Sequence, residues 1–128
     1  MRCQVRTSDR TLFDGDAVMV VARSALGDFA VMARHAPLLA VLDAGPLRVK
    51  TDREELLFAV RGGLLRVLED RVTVLAEAAI PAAEVDLASL EVRMAETESA
   101  LALAEKKQYL LRERAYLRAQ KRTKEKYG

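Results

Sequence analysis

Every proline of the chain (Pro37, Pro46, Pro81) and every glycine except the terminal Gly128 falls at or before residue 81. Both residue types interrupt helices and favour turns, so the chain on either side of Pro81 follows different folding rules. Upstream, Leu47, Val49 and Thr51 alternate with Arg48 and Lys50, the period of two of a half-buried strand. Segments 17–23, 56–61, 64–68 and 72–76 are short and rich in β-branched and aliphatic residues, as strands are. Gly62-Gly63 tolerates the positive φ angles of a tight hairpin, and Glu69-Asp70 has the length of the next turn with weaker turn chemistry. About ten short strands predict a small β-sandwich or barrel over residues 1–83.

Downstream the composition turns to Ala, Glu, Leu, Lys and Arg, all good helix formers. Asp86 stands where an N-cap is expected. Leu87, Leu90, Met94, Thr97, Leu101 and Ala104 recur at spacings of three and four, on one helix face. A weaker stripe runs through Leu110 and Leu117, with Tyr109, Tyr116 and Tyr127 nearby. One long helix and a two-helix antiparallel hairpin are both compatible with this pattern.

Charge favours the hairpin. Residues 1–83 carry 11 basic and 11 acidic side chains, residues 84–105 sum to −5, and residues 106–128 to +7. A fold near Lys106 lays the acidic helix on the basic one, although exposed pairs contribute only about 0–1 kcal/mol each. The expected seam (Leu87, Leu90, Met94, Leu101, Leu110, Leu117) is thin, at roughly 1.5–3 kcal/mol per fully buried side chain. A regulatory hairpin over 84–128, able to open for a better partner, is therefore expected.

Catalytic chemistry finds little support in the residues. His35 and Cys3 are the only histidine and cysteine and form no metal motif. The serines sit in no nucleophile elbow, and no glycine-rich phosphate loop is present. His35, near Asp28, Arg34, Asp43 and Arg48, is expected to satisfy the hydrogen bonds of its own loop. The lone Cys3 fits a reducing compartment. No apolar run approaches the roughly 18 residues of a membrane span, and the start MRCQVRTSDR lacks a signal-peptide core. A soluble, cytoplasmic protein without cofactor is expected. The basic segment 112–127 reads as a solvated helix face, a site for an acidic protein, or a nucleic-acid surface. Its few aromatic residues disfavour the last.

Three stretches together identify a family. GDFAVMARHAPLLAVLDAGPLRV (27–49), FAVRGGLLRV (58–67) and RVTVLAEAAIPAAEVD (71–86) resemble the epsilon subunit of F-type ATP synthases, in the same order and over nearly the whole chain. The chain departs from the family at Ala33-Arg34, where Pro-Gly is usual before the histidine, and at Arg61, where a small polar residue usually precedes the double glycine.

The resemblance implies a non-catalytic rotor subunit, docked on the gamma subunit and the membrane ring of c subunits. Asp28, Arg34, His35, Ala36 and Pro37 would lie at the ring-facing end. The C-terminal hairpin would extend to the alpha/beta hexamer and brake ATP hydrolysis, with Arg112, Arg114, Arg118, Lys121 and Arg122 as contacting bases. The implied place is peripheral, on the cytoplasmic side of a bacterial membrane. Some family members bind ATP through [IL]-D-x-x-R-A at the start of the first helix. Here Asp86 is kept, but Ser89 and Leu90 replace the arginine and alanine, so weak or absent ATP binding is expected. The alternative is a free-standing adaptor whose basic helix binds RNA or an acidic protein.

Overall fold

The computed structural model describes the backbone of residues 1–103 and 107–127, and the side chains of residues 1–99 and 110–126. Among these residues eight strands precede two helices: β1 (Arg2–Arg6), β2 (Thr11–Asp16), β3 (Met19–Ser24), β4 (Gly27–Met32), β5 (Leu38–Leu42), β6 (Gly45–Lys50), β7 (Glu55–Leu68), β8 (Arg71–Pro81), α1 (Leu87–Leu103) and α2 (Lys107–Tyr127). A single 3₁₀ turn, Ala82–Glu84, separates β8 from α1.

The strands run β2-β1-β8-β7-β5-β3-β4, with β6 paired to both β3 and β7. The long β7 is the hinge of the sandwich. Its first half pairs with β6, from Glu55 opposite Lys50 to Val60 opposite Gly45. Its second half pairs with β5, from Gly63 opposite Leu42 to Val67 opposite Leu38. Between the layers lie Cys3, Val5, Val20, Val31, Leu47, Val49, Phe58, Val60, Leu65, Val67, Val72 and Val74. Alternation puts these branched side chains inside and charged neighbours outside.

The expected hairpin at Gly62-Gly63 is not formed. Both glycines lie inside β7, where the pairing with β8 slips at a bulge, and the two expected strands 56–61 and 64–68 are one. This removes one strand, and eight form where about ten were expected. The slip changes which residues face inward, from Phe58 and Val60 to Leu65 and Val67, because an extra residue reverses the alternation. Only glycine fits here. Gly63 has φ +145°, and a Cβ on it would lie 2.1 Å from the Leu75 carbonyl oxygen. The turn expected at Glu69-Asp70 does form, with φ 51° and 60° at the two residues, as a type I′ hairpin requires.

The helices form the hairpin. α2 packs on β6, β7 and the 3₁₀ turn, while α1 packs on α2. Their contact is built on Val85, Leu90 and Leu117, with Ile80 and Met94 against them. Leu110 is half-buried, and Leu87 is exposed and leaves the expected seam, because Val85, from the turn just before α1, packs with Leu90 and Leu117 in its place. Tyr116 is buried together with Ala119, Gln120 and Thr123, so α2 is covered on two sides. The expected seam residues Leu101 and Ala104, together with Tyr109, Tyr127 and the bend near Lys106, lie outside the residues so described. Asp86 caps α1: its Oδ1 accepts the Ala88 N–H at 3.1 Å and its Oδ2 the Ser89 hydroxyl at 2.9 Å.

Candidate functional site

The β3–β4 hairpin turns at Ala25-Leu26, and the Ser24 hydroxyl holds the turn by accepting the Leu26 N–H and donating to the Gly27 carbonyl. Leu26 is 100% exposed at the tip. Behind it Arg23 and Asp28 face each other across the ladder, and Arg23 Nε donates to Asp28 Oδ1 at 2.8 Å. That hydrogen bond is the main reason the Asp28 carboxyl stays below the usual range, with Lys126 of α2 adding to it.

At the other end of β4, residues 33–37 form an exposed loop. The His35 N–H donates to the Met32 carbonyl at 3.2 Å, and His35 Nδ1 lies 2.6 Å from the Ala36 carbonyl oxygen. The imidazole is thus engaged within its own loop. Arg34 adopts φ 65°, a left-handed conformation that costs a non-glycine residue about 1–2 kcal/mol. Its N–H donates to Asp70 Oδ1 at 2.8 Å, which braces the loop against the β7–β8 turn. Asp28 and His35 line one groove of about 570 Å³, walled by Phe29, Leu38, Leu39 and Val41. Arg34, Ala36 and Pro37 stand exposed beside it.

A second surface carries no motif of its own. On the outward face of the sheet Val41 pairs with Leu64, and Leu64 with Leu75. Leu39 and Leu68 lie on the same face, and all five side chains are exposed, Leu39 by 67% and Val41 by 69%. Arg66 and Arg71 lie among them, and Arg6 opposite Leu75. Monomeric proteins rarely leave contiguous aliphatic patches in water without a partner to cover them. α2 packs on β7, with Glu113 reaching Arg61, and the aliphatic strip begins just beyond the bulge.

The bases expected to contact a partner are engaged within the chain. Arg112 pairs with Glu77 of β8, Arg114 and Arg118 reach Glu98 of α1 at 3.5 Å, and Lys121 meets Glu91 at 2.6 Å. Arg122 is exposed and shares a groove with Arg23, Arg114 and Arg118. Three of these five bases thus pair with the acidic helix α1 and one with β8.

The start of α1 presents no arginine beside Asp86. The Ser89 hydroxyl occupies that carboxylate and is the leading cause of its lowered pKa. Among the described residues no group of three His, Cys, Asp or Glu side chains gathers as metal ligands would. No described helix is long and apolar enough to cross a membrane.

Residues 1–82 match the family model described as ATP synthase, Delta/Epsilon chain, beta-sandwich domain. The ATP synthase epsilon chain of Alkalihalophilus pseudofirmus is 43% identical over 84 residues, 65% of this chain and 63% of the relative. That of Synechococcus elongatus is 45% identical over 76 residues, 59% of this chain and 56% of the relative. The matched region thus spans less than two thirds of these relatives' length. A chain in the cryo-EM structure of the Euglena gracilis mitochondrial ATP synthase (OSCP/F1/c-ring, rotational state 1) superposes with a TM-score of 0.75 at 19% identity, covering 90% of this chain and 74% of that one. One in the central stalk and c-ring of the Tetrahymena thermophila mitochondrial enzyme gives 0.65 at 14% identity, covering 96% and 95%. At these identities the likeness is one of fold.

Proposed function

The chain belongs to the ATP synthase delta/epsilon family, and from that premise we propose that it is a non-catalytic subunit of the rotor, seating the gamma subunit on the membrane ring of c subunits. It acts peripherally, on the cytoplasmic side of a bacterial membrane, and couples rotation to the ion gradient. The observation that carries this reading is the uncovered strip of Leu39, Val41, Leu64, Leu68 and Leu75 on a sheet whose other half is capped by α2. We assign the strip to the gamma subunit. The β4 surface, with Asp28 near its start and the Arg34–His35–Ala36–Pro37 loop after its end, is assigned to the ring.

The hairpin, from residue 84 onward, is the regulatory part. Docked, it permits turnover; extended, it places Arg112, Arg114, Arg118, Lys121 and Arg122 on acidic loops of the alpha/beta hexamer and brakes hydrolysis. Four of these bases exchange an internal carboxylate for one on the partner, so the exchange costs little. The hairpin works without bound nucleotide, because Ser89 supplies no guanidinium and already occupies Asp86. A calorimetric titration with ATP is expected to give no heat of tight binding.

The test uses an alpha-beta-gamma complex stripped of its own epsilon subunit. Full-length chain and a form ending at Ala83 are both expected to co-purify in a gamma-dependent way, and only the full chain to slow ATP hydrolysis. Binding without inhibition removes the brake, and failure of both forms to bind overturns the rotor assignment.

A further inference from the structure

Arg61 departs from its surroundings twice. It is a cation on the strand that α2 packs on, and it immediately precedes the bulge. Its Nη1 lies 3.1 Å from Oε2 of Glu113 on α2, with the two side chains only 17% and 19% exposed. The other oxygen of the same carboxylate, Oε1, lies 3.6 Å from Nη2 of Arg93 on α1, which is 54% exposed. One carboxylate thus joins the sandwich, the packed helix and the outer helix. The remaining ties are wetter: Lys121 and Glu91 are 36% and 53% exposed, and Arg112 and Glu77 59% and 46%. The buried Tyr116 ring stands beside the three charged groups, within the field of Arg93, Glu113 and Arg61.

We propose that Arg61 and Glu113, with Arg93 as third member, form a charge lock that sets how readily the hairpin leaves the sandwich. Exposed pairs exchange with water at little cost, but a half-desolvated pair must be broken as a unit. Removing one partner leaves the other charge stranded in a poorly hydrated place. Lifting α2 from β7 separates Glu113 from Arg61, and parting the helices separates it from Arg93. Glu113 and Glu125 are the only acids between residues 106 and 128, so Glu113 is one of few groups by which this basic segment can hold a cation of the sandwich. The lock itself rests on the docked hairpin alone; its consequence for ATP hydrolysis rests on the brake reading above.

A double-mutant cycle on the full chain tests this, with hydrogen exchange of α2 amides as the measure of opening. Arg61→Met and Glu113→Gln are each expected to speed α2 exchange about tenfold, and the double variant much less than the hundredfold product, a coupling of about tenfold. Amides of β1 and the first half of β8 serve as the internal control and stay protected. Effects that multiply to within about twofold overturn the lock, since loss of packing alone gives no such coupling. If Arg61→Met also exposes β8, the cycle runs through Arg93→Met and Glu113→Gln, where a smaller coupling, still beyond twofold, is required. The single variants are then assayed for ATP hydrolysis in the alpha-beta-gamma complex. Coupling with altered inhibition supports both readings. Coupling with unaltered inhibition leaves the lock in place and removes the brake.

Discussion

The sandwich and the hairpin are stable for different reasons. The sandwich buries a continuous set of branched side chains from seven of its strands, and Val5, Val20, Val49, Leu65 and Val74 have no exposed surface. The hairpin contact rests on Val85, Leu90 and Leu117 with two partners, on the buried Tyr116, Ala119, Gln120 and Thr123 of α2, and on ion pairs. At about 25 cal/mol per Å² of apolar area removed from water, the first core supports a fold by itself. The second supports only an association that a competing surface can replace. Under the function proposed above, the contrast says where rigidity and regulation belong: a docking platform needs one state, and a brake needs two close in free energy.

The largest effect is expected where the sandwich has no tolerance. Gly63→Ala sets a methyl group 2.1 Å from the Leu75 carbonyl oxygen at φ +145°, and is expected to cost at least about 3 kcal/mol or to prevent folding. Urea unfolding reads it, and a variant as stable as the parent contradicts the role given to the bulge. Next come two truncations that separate the regions. Leu117→Ala is expected to cost about 2–5 kcal/mol in the hairpin alone, with proteolysis in α2 accelerated while the sandwich resists. Val74→Ala is expected to loosen sandwich and hairpin together. Identical proteolytic patterns for the two variants would erase the distinction between the regions.

Cys3 gives a smaller signal. Burial pushes its thiol up from 9.0 to about 11, so between those values the folded chain holds a proton that the unfolded chain releases. Its contribution is full below pH 9 and falls as pH rises towards 11. From pH 8 to 10 the parent is expected to lose about 1 kcal/mol more stability than Cys3→Ala, as denaturant midpoints will show; equal losses refute it. The smallest effect lies in the loop. Arg34→Gly relieves the left-handed strain of about 1–2 kcal/mol but adds unfolded-state entropy worth about 0.4–1 kcal/mol. A net gain of about 0.5 kcal/mol is expected, and a loss would mean that the Arg34 side chain contributes more than its backbone conformation costs.

The broad division was legible because it follows from local chemistry. Period-two runs, the confinement of Gly and Pro to the first 81 residues, and opposite charges on consecutive helical segments each point to one arrangement. Non-local pairing was less legible. A double glycine between two aliphatic runs reads as a turn by every short-range rule, and only the registers of β5, β6 and β8 show why β7 continues through it. Leu87 carried the right spacing, but Val85 takes its place against Leu90 and Leu117. Of the candidate site, Asp28 and His35 line one groove from opposite ends of β4. The tip residue Leu26 and the strip from Leu39 to Leu75 escaped notice, because an exposed leucine in a strand looks no different in sequence from a buried one. The loop conformation was signalled by Ala33-Arg34 standing where Pro-Gly is usual, since Arg34 takes the left-handed angle that glycine accepts most readily.

Native-state hydrogen exchange of the full chain tests the central claim, that a lightly held hairpin rides on a self-sufficient sandwich. Amides of α1 and α2 are expected to exchange through an opening at least about 2 kcal/mol below global unfolding, while those of β1, β7 and β8 exchange only when the whole sandwich unfolds. A single opening free energy shared by helices and strands would contradict it, and would make hairpin and sandwich one cooperative unit.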